Sequence, residues 1–468
     1  MITTPTLHSS EFFPTVGIDE NTVRSKVEQV ARDMEETFHS RFPGKPDSPP
    51  HPISISTWAR LSHVNPNSGG IHTFDGARDR EIASNIPWAA CLELEREVLA
   101  GVASLYSPCF DEYEGYINTG STEGNIAAFW LGRNLLSRCS SEGDSSQIAT
   151  LIPRTAHMSL FKAAEVVGLG VEAWSRCDDC GLQHMISSAP PSPLCKILDV
   201  DDRFHVDIES LQLALVDCIR LGIKRFIVVA TLGTTVLGTI DPIAEMSTVL
   251  KSFKERENIE VFFHIDGASG GLIAPFSEPL RTNLKIEEWT EVSSLSIDWH
   301  KFGLVPYGAG SLICRKGLIQ HISRQDKYGR LGHGNTLIGS RSGAMTAACW
   351  SVMKHLGREG FRDMVDQCLS NAQLLKAQLE TLPGITVLDS SDMHIVPVQL
   401  SSHSPARRVF ARHGIGSEQV AKDGASCPQE TFPLYVMRHL QASDIHDFVD
   451  EISREIGIIE CVEHEKAA

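Results

Sequence analysis

Two short segments carry the residue types best suited to covalent chemistry. HIDGASGG (264–271) puts Asp266 at the end of an apolar run, and SIDWHKFG (296–303) puts Lys301 just after another. An amine can add to a carbonyl to form an imine. A carboxylate can keep a ring nitrogen protonated, so that the ring accepts electrons from a substrate. Open α/β sheets bind ligands at the carboxyl ends of their strands. A lysine and an aspartate meeting there provide what pyridoxal 5'-phosphate chemistry needs. Separately, Lys301 reads as a solvated strand-end residue and Asp266 as a turn or helix-cap residue. Their joint presence, with His300 alongside, favours a ligand site.

Three further segments fit the same ligand. GYINTGSTEGN (115–125) runs into the helical stretch IAAFWLGRNLL, and small residues at a helix start expose backbone N–H groups to an anion. Gly120, Ser121 and Thr122 are therefore candidates for the cofactor phosphate, although the turn by itself reads as an ordinary helix start. In ATLGTTVLGTIDPI (230–243), Thr231 can reach the ring hydroxyl, and in AHMSLFKAA (156–164), His157 can lie flat on the ring. A lone histidine is more often structural; the company of the other segments gives this one its interest.

In this order the five segments resemble the group II pyridoxal-phosphate-dependent amino-acid decarboxylases, which share the aspartate-aminotransferase fold (fold type I). The matching pieces are TGSTEGN, ATLGTT, HIDGA and DWHK, and PLYVMRHLQASDIHDFVDEI is similar to the family's closing strand and helix. The resemblance implies that Lys301 holds the cofactor as an imine and that Asp266 partners the pyridine nitrogen. It implies that Ala268 packs under the ring while His157 covers the other face, and that Ser121, Thr122 and His300 bind phosphate. Thr231 would approach the ring oxygen. Ser340, in GSRSG, would reach the active site of a neighbouring subunit in a homodimer.

Asp298 is shared with archaeal tyrosine/aspartate decarboxylases and sphingosine-phosphate lyases, which the chain also resembles. Facing a phosphate it would be repelled, so it is expected to point elsewhere or to act through a neighbouring basic group. Tyr328, in the Gly-rich stretch 323–343, resembles the loop tyrosine that protonates the substrate carbon in aromatic amino-acid decarboxylases; an exposed loop tyrosine is the rival reading, and His333 is a weaker candidate.

The implied reaction is decarboxylation of an L-amino acid to an amine and carbon dioxide. Retro-aldol carbon–carbon cleavage, oxidative deamination to an aldehyde and a non-catalytic scaffold are the alternatives. Arg341 reads equally as a substrate-carboxylate contact or as a surface arginine at a helix start. Cys177, Cys180, His184 and Cys195 have the donor types of a zinc site but not a familiar spacing, and no metal is expected.

The elements that must position these residues alternate. RFIVVA (225–230), VFFHI (261–265) and GSLIC (310–314) read as buried strands, and helical patterns fall at 21–38, 88–106, 206–221 and 243–255. A long helical region from 343 to about 380 stops at Leu382-Pro383-Gly384. Strands near 385–387, 395–400 and 434–437 follow, with a terminal helix at 442–456. The expected fold is α/β, with a mostly parallel central sheet in a large domain and a smaller C-terminal α+β domain. The expected divisions are an N-terminal helical segment (1–85), the cofactor-binding domain (86–345) and the small domain (346–468).

With 42% hydrophobic and 22% charged residues, the 468-residue chain has the composition of a globular protein. Its 59 acidic against 42 basic residues, net −17, argue against a general nucleic-acid or anionic-membrane binder. No apolar run approaches the ~20 residues that span a bilayer, and residues 1–14 lack a basic-then-apolar leader pattern. The 12 cysteines are scattered rather than framed for disulfides, so a cytoplasmic setting is expected.

Overall fold

The computed structural model describes residues 19–39, 49–64, 89–138, 148–169, 174–176, 183–185, 194–325, 333–422 and 428–467. Among the described residues, the chain begins with the helices α1 (Glu20–His39), α2 (Pro52–Ser62) and α3 (Ala89–Leu105). Then strand and helix alternate: β1 (Tyr113–Asn118), α4 (Ser121–Arg138), β2 (Ile148–Pro153) and α5 (Met158–Val166). A short hairpin, β3 (Trp174–Arg176) and β4 (Gln183–Met185), precedes β5 (Cys195–Leu198), α6 (Ile208–Arg220), β6 (Arg225–Thr231), α7 (Ile243–Glu257) and β7 (Glu260–Asp266). Helix α8 (Glu278–Leu284), β8 (Val292–Asp298) and β9 (Gly310–Arg315) complete the large unit.

The main sheet has seven strands in the order β1-β9-β8-β7-β6-β2-β5. Only β9 runs against its neighbours. Every residue of β2, β6 and β8 is buried, as in a sheet covered on both faces. The two-residue period divides β6 between two cores. Phe226, Val228 and Ala230 join the cluster containing Leu211 and Leu250, whereas Ile227 and Val229 join the cluster of Phe129 and Leu131 from α4. Apolar side chains at every position of the strand are what this double coverage demands.

After a small ladder, β10 (Arg324–Gln325) with β11 (His333–Gly334), comes the long helix α9 (Gly343–Leu379). It is broken at Gly357, whose φ of 60° and ψ of −171° are not helical. Met345, Val352 and Phe361 of α9 pack into the large core; Ala372, Leu375 and Leu379 pack into a separate one. That second core closes over a four-stranded antiparallel sheet, built from β12 (Ile385–Val387), β13 (Ile395–Leu400), β14 (Glu418–Val420) and β15 (Gln429–Tyr435), with α10 (Ala406–Arg412) and α11 (Ala442–Ala467) against it. The last strand begins and ends earlier than the apolar stretch at 434–437 suggested. It extends back through Thr431, whose buried backbone pairs with Glu418 of the edge strand.

Candidate active site

The parallel strands end together. Thr231 is in register with Asp266, and Asp266 with Ser296, so β6, β7 and β8 deliver their last residues to one edge. Gly310 pairs with both Asn118 and Asp298, which brings the turn after β1 to the same edge. Sequence proximity would never have joined residues 120, 157, 231, 266 and 301; strand order does.

Asp266 is fully buried. Its Oδ1 accepts the Ala268 backbone N–H at 3.0 Å and its Oδ2 accepts Asn125 Nδ2 at 3.0 Å. Burial pushes its carboxyl above the ordinary range, opposed by the Ala268 bond and by the nearby charges of Lys301 and His157. The Lys301 amine is thus within electrostatic reach of Asp266. Its direct partner is Asp298, with Nζ 3.2 Å from Oδ2.

Of the two arrangements expected for Asp298, the first is not the one present: its Oδ1 accepts the backbone N–H of Ser121 at 2.5 Å, at the start of α4. The second alternative, a link to neighbouring basic groups, is the arrangement present, with Lys301 at 3.2 Å and His300 Nε2 at 3.6 Å. A strand-end carboxylate facing a helix N-terminus finds an unpaired N–H and a favourable dipole, which is why it turns inward.

Around it the turn is tightly built. Gly120 has φ of +142°, and a Cβ there would lie 2.9 Å from His300 Cε1. Glu123 reaches back to Thr119, accepting its N–H and hydroxyl, each at 2.8 Å. His300 donates through Nδ1 to the Ala309 carbonyl at 2.8 Å and packs against Tyr307 with ring centroids 4.8 Å apart. Thr122 is exposed, whereas the Ser121 hydroxyl is buried and has no partner among the described residues.

The Thr231 hydroxyl is likewise buried and unpartnered among the described residues. Its backbone is pinned by Asp241, whose Oδ2 accepts the Thr231 N–H at 2.6 Å. Burial raises the Asp241 carboxyl to about 6. His157 caps α5: its Nδ1 accepts the Ser159 N–H at 3.2 Å and lies 2.9 Å from Ser159 Oγ. Desolvation lowers its pKa despite the attraction of Asp266, so the ring is neutral at physiological pH.

Unpartnered buried hydroxyls are costly, and these have the chemistry to meet a ligand. Ser121 Oγ beside a helix start suits a phosphate, Thr231 Oγ1 a ring oxygen, Asp266 a ring nitrogen and Lys301 an aldehyde. The donor set therefore fits pyridoxal phosphate. The chain matches the pyridoxal-dependent decarboxylase conserved domain over residues 86–400. The chain belongs to this family.

The decarboxylase is similar along its length to a probable L-tyrosine/L-aspartate decarboxylase of Methanosarcina barkeri, with 28% identity over 94% of this chain and 98% of the relative. Its fold is that of the Burkholderia pseudomallei sphingosine-1-phosphate lyase (TM-score 0.74, 20% identity, 98% of this chain and 94% of that one). It matches equally the L-methionine decarboxylase of Streptomyces sp. 590 (TM-score 0.74, 18% identity, 96% and 98%). Equal likeness to a lyase and a decarboxylase shows that the fold alone does not choose the bond broken. The family match does: this is an amino-acid decarboxylase that uses pyridoxal phosphate.

Ser340 is exposed, and no hydrogen bond among the described residues ties it to the cluster. Arg341 is neither a surface arginine nor free for substrate. It is buried, forks onto Glu95 and donates to the Ile117 carbonyl at 2.6 Å. Tyr328, Cys177 and Cys180 lie outside the described residues, as do the side chains of His184 and His333. Cys195 is buried in β5, its thiol pushed up by burial, and no metal-binding group occurs among the described residues.

Sequence reading missed Asn125, Ser159, His264 and Asp241. A signal existed for two of them. His264 shares a strand face with Asp266 two residues on, and Asn125 shares a helix face with Ser121 four residues back. Polar residues at those periods inside apolar elements mark a buried network.

Proposed function

We propose that the decarboxylase removes the α-carboxylate of an L-amino acid, releasing carbon dioxide and the amine, with Lys301 and Asp266 as the two central groups. The family match carries the choice of reaction, and one observation supports the two residues: Asp266 and Lys301 follow adjacent parallel strands to the same edge, flanked by the unpartnered hydroxyls of Ser121 and Thr231. When bound, pyridoxal phosphate supplies an electrophilic carbonyl carbon and a ring that accepts the electrons of the breaking bond.

Each residue then has a task. Lys301 would hold the cofactor through its amine, and Asp298 Oδ2, 3.2 Å from Nζ, orients that amine. Asp266 keeps a proton on the ring nitrogen, its carboxylate already oriented by Ala268 and Asn125. His157 covers one ring face and Ala268 the other. With Nδ1 engaged by Ser159, the neutral His157 ring carries its proton on Nε2. Gly120, Ser121, Thr122 and His300 hold the phosphate, and Thr231 meets the ring hydroxyl. Tyr328 is the candidate to return a proton to the substrate carbon.

The active unit is a homodimer. Met158 beside His157 and Tyr307 beside His300 are 59% and 65% exposed in the single chain, and a second copy would cover them and exclude water. Ser340, on the surface, would enter the neighbour's site. No helix among the described residues is long and apolar enough to cross a membrane. Free buried thiols such as Cys91, Cys109 and Cys314 suit a reducing, cytoplasmic setting.

The test is incubation of the cofactor-loaded protein with the common amino acids, including tyrosine, aspartate and methionine, following carbon dioxide together with amine and aldehyde. Stoichiometric carbon dioxide and amine are expected. Product formed without carbon dioxide would overturn the assignment.

A further inference from the structure

Behind Asp266 the hydrogen bonds run on through Asn125 to His264 and Ser294, two residues with no assigned role. Asn125, completely buried in α4, places Nδ2 3.0 Å from Asp266 Oδ2 and 2.9 Å from Ser159 Oγ. Its Oδ1 is 2.9 Å from Nε2 of His264, and Nδ1 of that ring is 2.8 Å from Ser294 Oγ. The protons can be assigned. An ionised carboxylate only accepts, so the atom facing Asp266 is the NH2 group, and Oδ1 must face His264. His264 therefore carries its proton on Nε2, and Ser294 donates its hydroxyl to Nδ1. Both N–H groups of the amide are used, and its oxygen is held in place.

We propose that Asn125 is a positioning residue that presents Asp266 to the cofactor, with His264 anchoring the amide oxygen of Asn125 once its NH2 faces the carboxylate. The amide turned over would set its oxygen against Asp266 Oδ2, a repulsive contact in place of a bond, and would force the His264 proton onto Nδ1 with Ser294 accepting it. Burial takes His264 down to about 3, so this anchor is not titrated at physiological pH. The role rests on Asp266 being the partner of the ring nitrogen.

The test reads the protonation of the ring nitrogen directly, in full-length protein loaded with pyridoxal phosphate isotope-labelled at that atom, together with the cofactor dissociation constant. Neither readout involves turnover, so failure to decarboxylate any amino acid leaves them unaffected. Asn125→Leu, similar in shape but without donors, should move the ring-nitrogen resonance toward the unprotonated form and weaken cofactor binding about tenfold. His264→Leu should do the same to a smaller extent. His264→Gln, whose amide can still donate to Asn125 Oδ1, should restore the native resonance, a separation that a purely structural role would not produce. Should Asn125→Leu not fold, Asn125→Ser is read the same way. A native resonance and native affinity in the Asn125 variant overturns the proposal, as does a native protein whose ring nitrogen is already unprotonated.

Discussion

The two ends of the cofactor cleft differ in how complete they are. At the ring-nitrogen end, the chain satisfies itself: Asp266 accepts from Ala268 and Asn125, and Asn125 is anchored on His264 and Ser159. At the other end, around the start of α4 and the end of β6, the Ser121 and Thr231 hydroxyls are buried without partners among the described residues, and an acidic residue, Asp298, already occupies a backbone N–H of the helix start. The first end is preorganised, so its charge needs no rearrangement when the ring arrives. The second gains its missing bonds only from the ligand, so deleting its hydroxyls should weaken cofactor binding without destabilising the cofactor-free chain.

The largest effects should come from the preorganised end and its lysine. Lys301→Ala removes the imine-forming amine and should cost at least ~1000-fold in turnover. Asp266→Ala should cost ~100–1000-fold, because the ring then lacks its charge partner. Decarboxylation rates with saturating cofactor check both, and a near-native rate in either variant would remove that residue from its assigned role.

Next come the orphan hydroxyls, where the two ends should part company. Ser121→Ala and Thr231→Val should each weaken cofactor binding roughly tenfold, from the loss of one bond to the ligand. The cofactor-free protein should melt no lower than the native one, because an unsatisfied buried hydroxyl has been deleted. Titration of the cofactor and melting of the cofactor-free chain measure the pair of signs. A lower melting temperature would mean that those hydroxyls are satisfied within the protein.

Asp298→Asn should act in the opposite direction. The amide oxygen can keep the Ser121 N–H while the charge facing the phosphate is removed, so binding should tighten by about 1 kcal/mol, or roughly fivefold. Weaker binding would show instead that the Asp298 charge is needed to hold His300 and Lys301 in place.

A smaller effect concerns acid stability. Burial holds His264 at about 3 and His394 at about 4, against an ordinary value of 6.5. Their contribution is fully present above pH 6.5 and is lost as pH falls toward the folded values, because the unfolded chain takes up protons first. Asp241, raised from 3.8 to about 6, has the opposite sign: its contribution is present below 3.8 and lost as pH rises through 6. Urea unfolding of the cofactor-free protein should therefore show stability falling from pH 6.5 to 4. His394→Leu should flatten that slope and Asp241→Asn should steepen it; unchanged slopes would contradict these buried protonation states.

The order of motifs, the buried strands RFIVVA and VFFHI and the lysine–aspartate pair were legible in the linear chain, because hydrophobic period and residue chemistry are local properties. The long helix after Gly343 was legible too. Its break at Gly357 and its division between two cores were not, because a glycine within a helical pattern does not announce which partner each half will meet. The same holds for Asp298 and Arg341. One carboxylate turns inward because a helix start offers it an N–H, and one arginine is withdrawn from the surface because Glu95, far away in sequence, waits for it.

The amino-acid sequence by itself determined which reactive groups this decarboxylase possesses and which segments become strands, since both follow from side-chain type and short-range periodicity. Only the tertiary structure decided which polar atoms are satisfied and which are left for a ligand. Hydrogen-bond partnership depends on distances of about 3 Å between residues separated by a hundred positions or more, and strand order alone sets those distances.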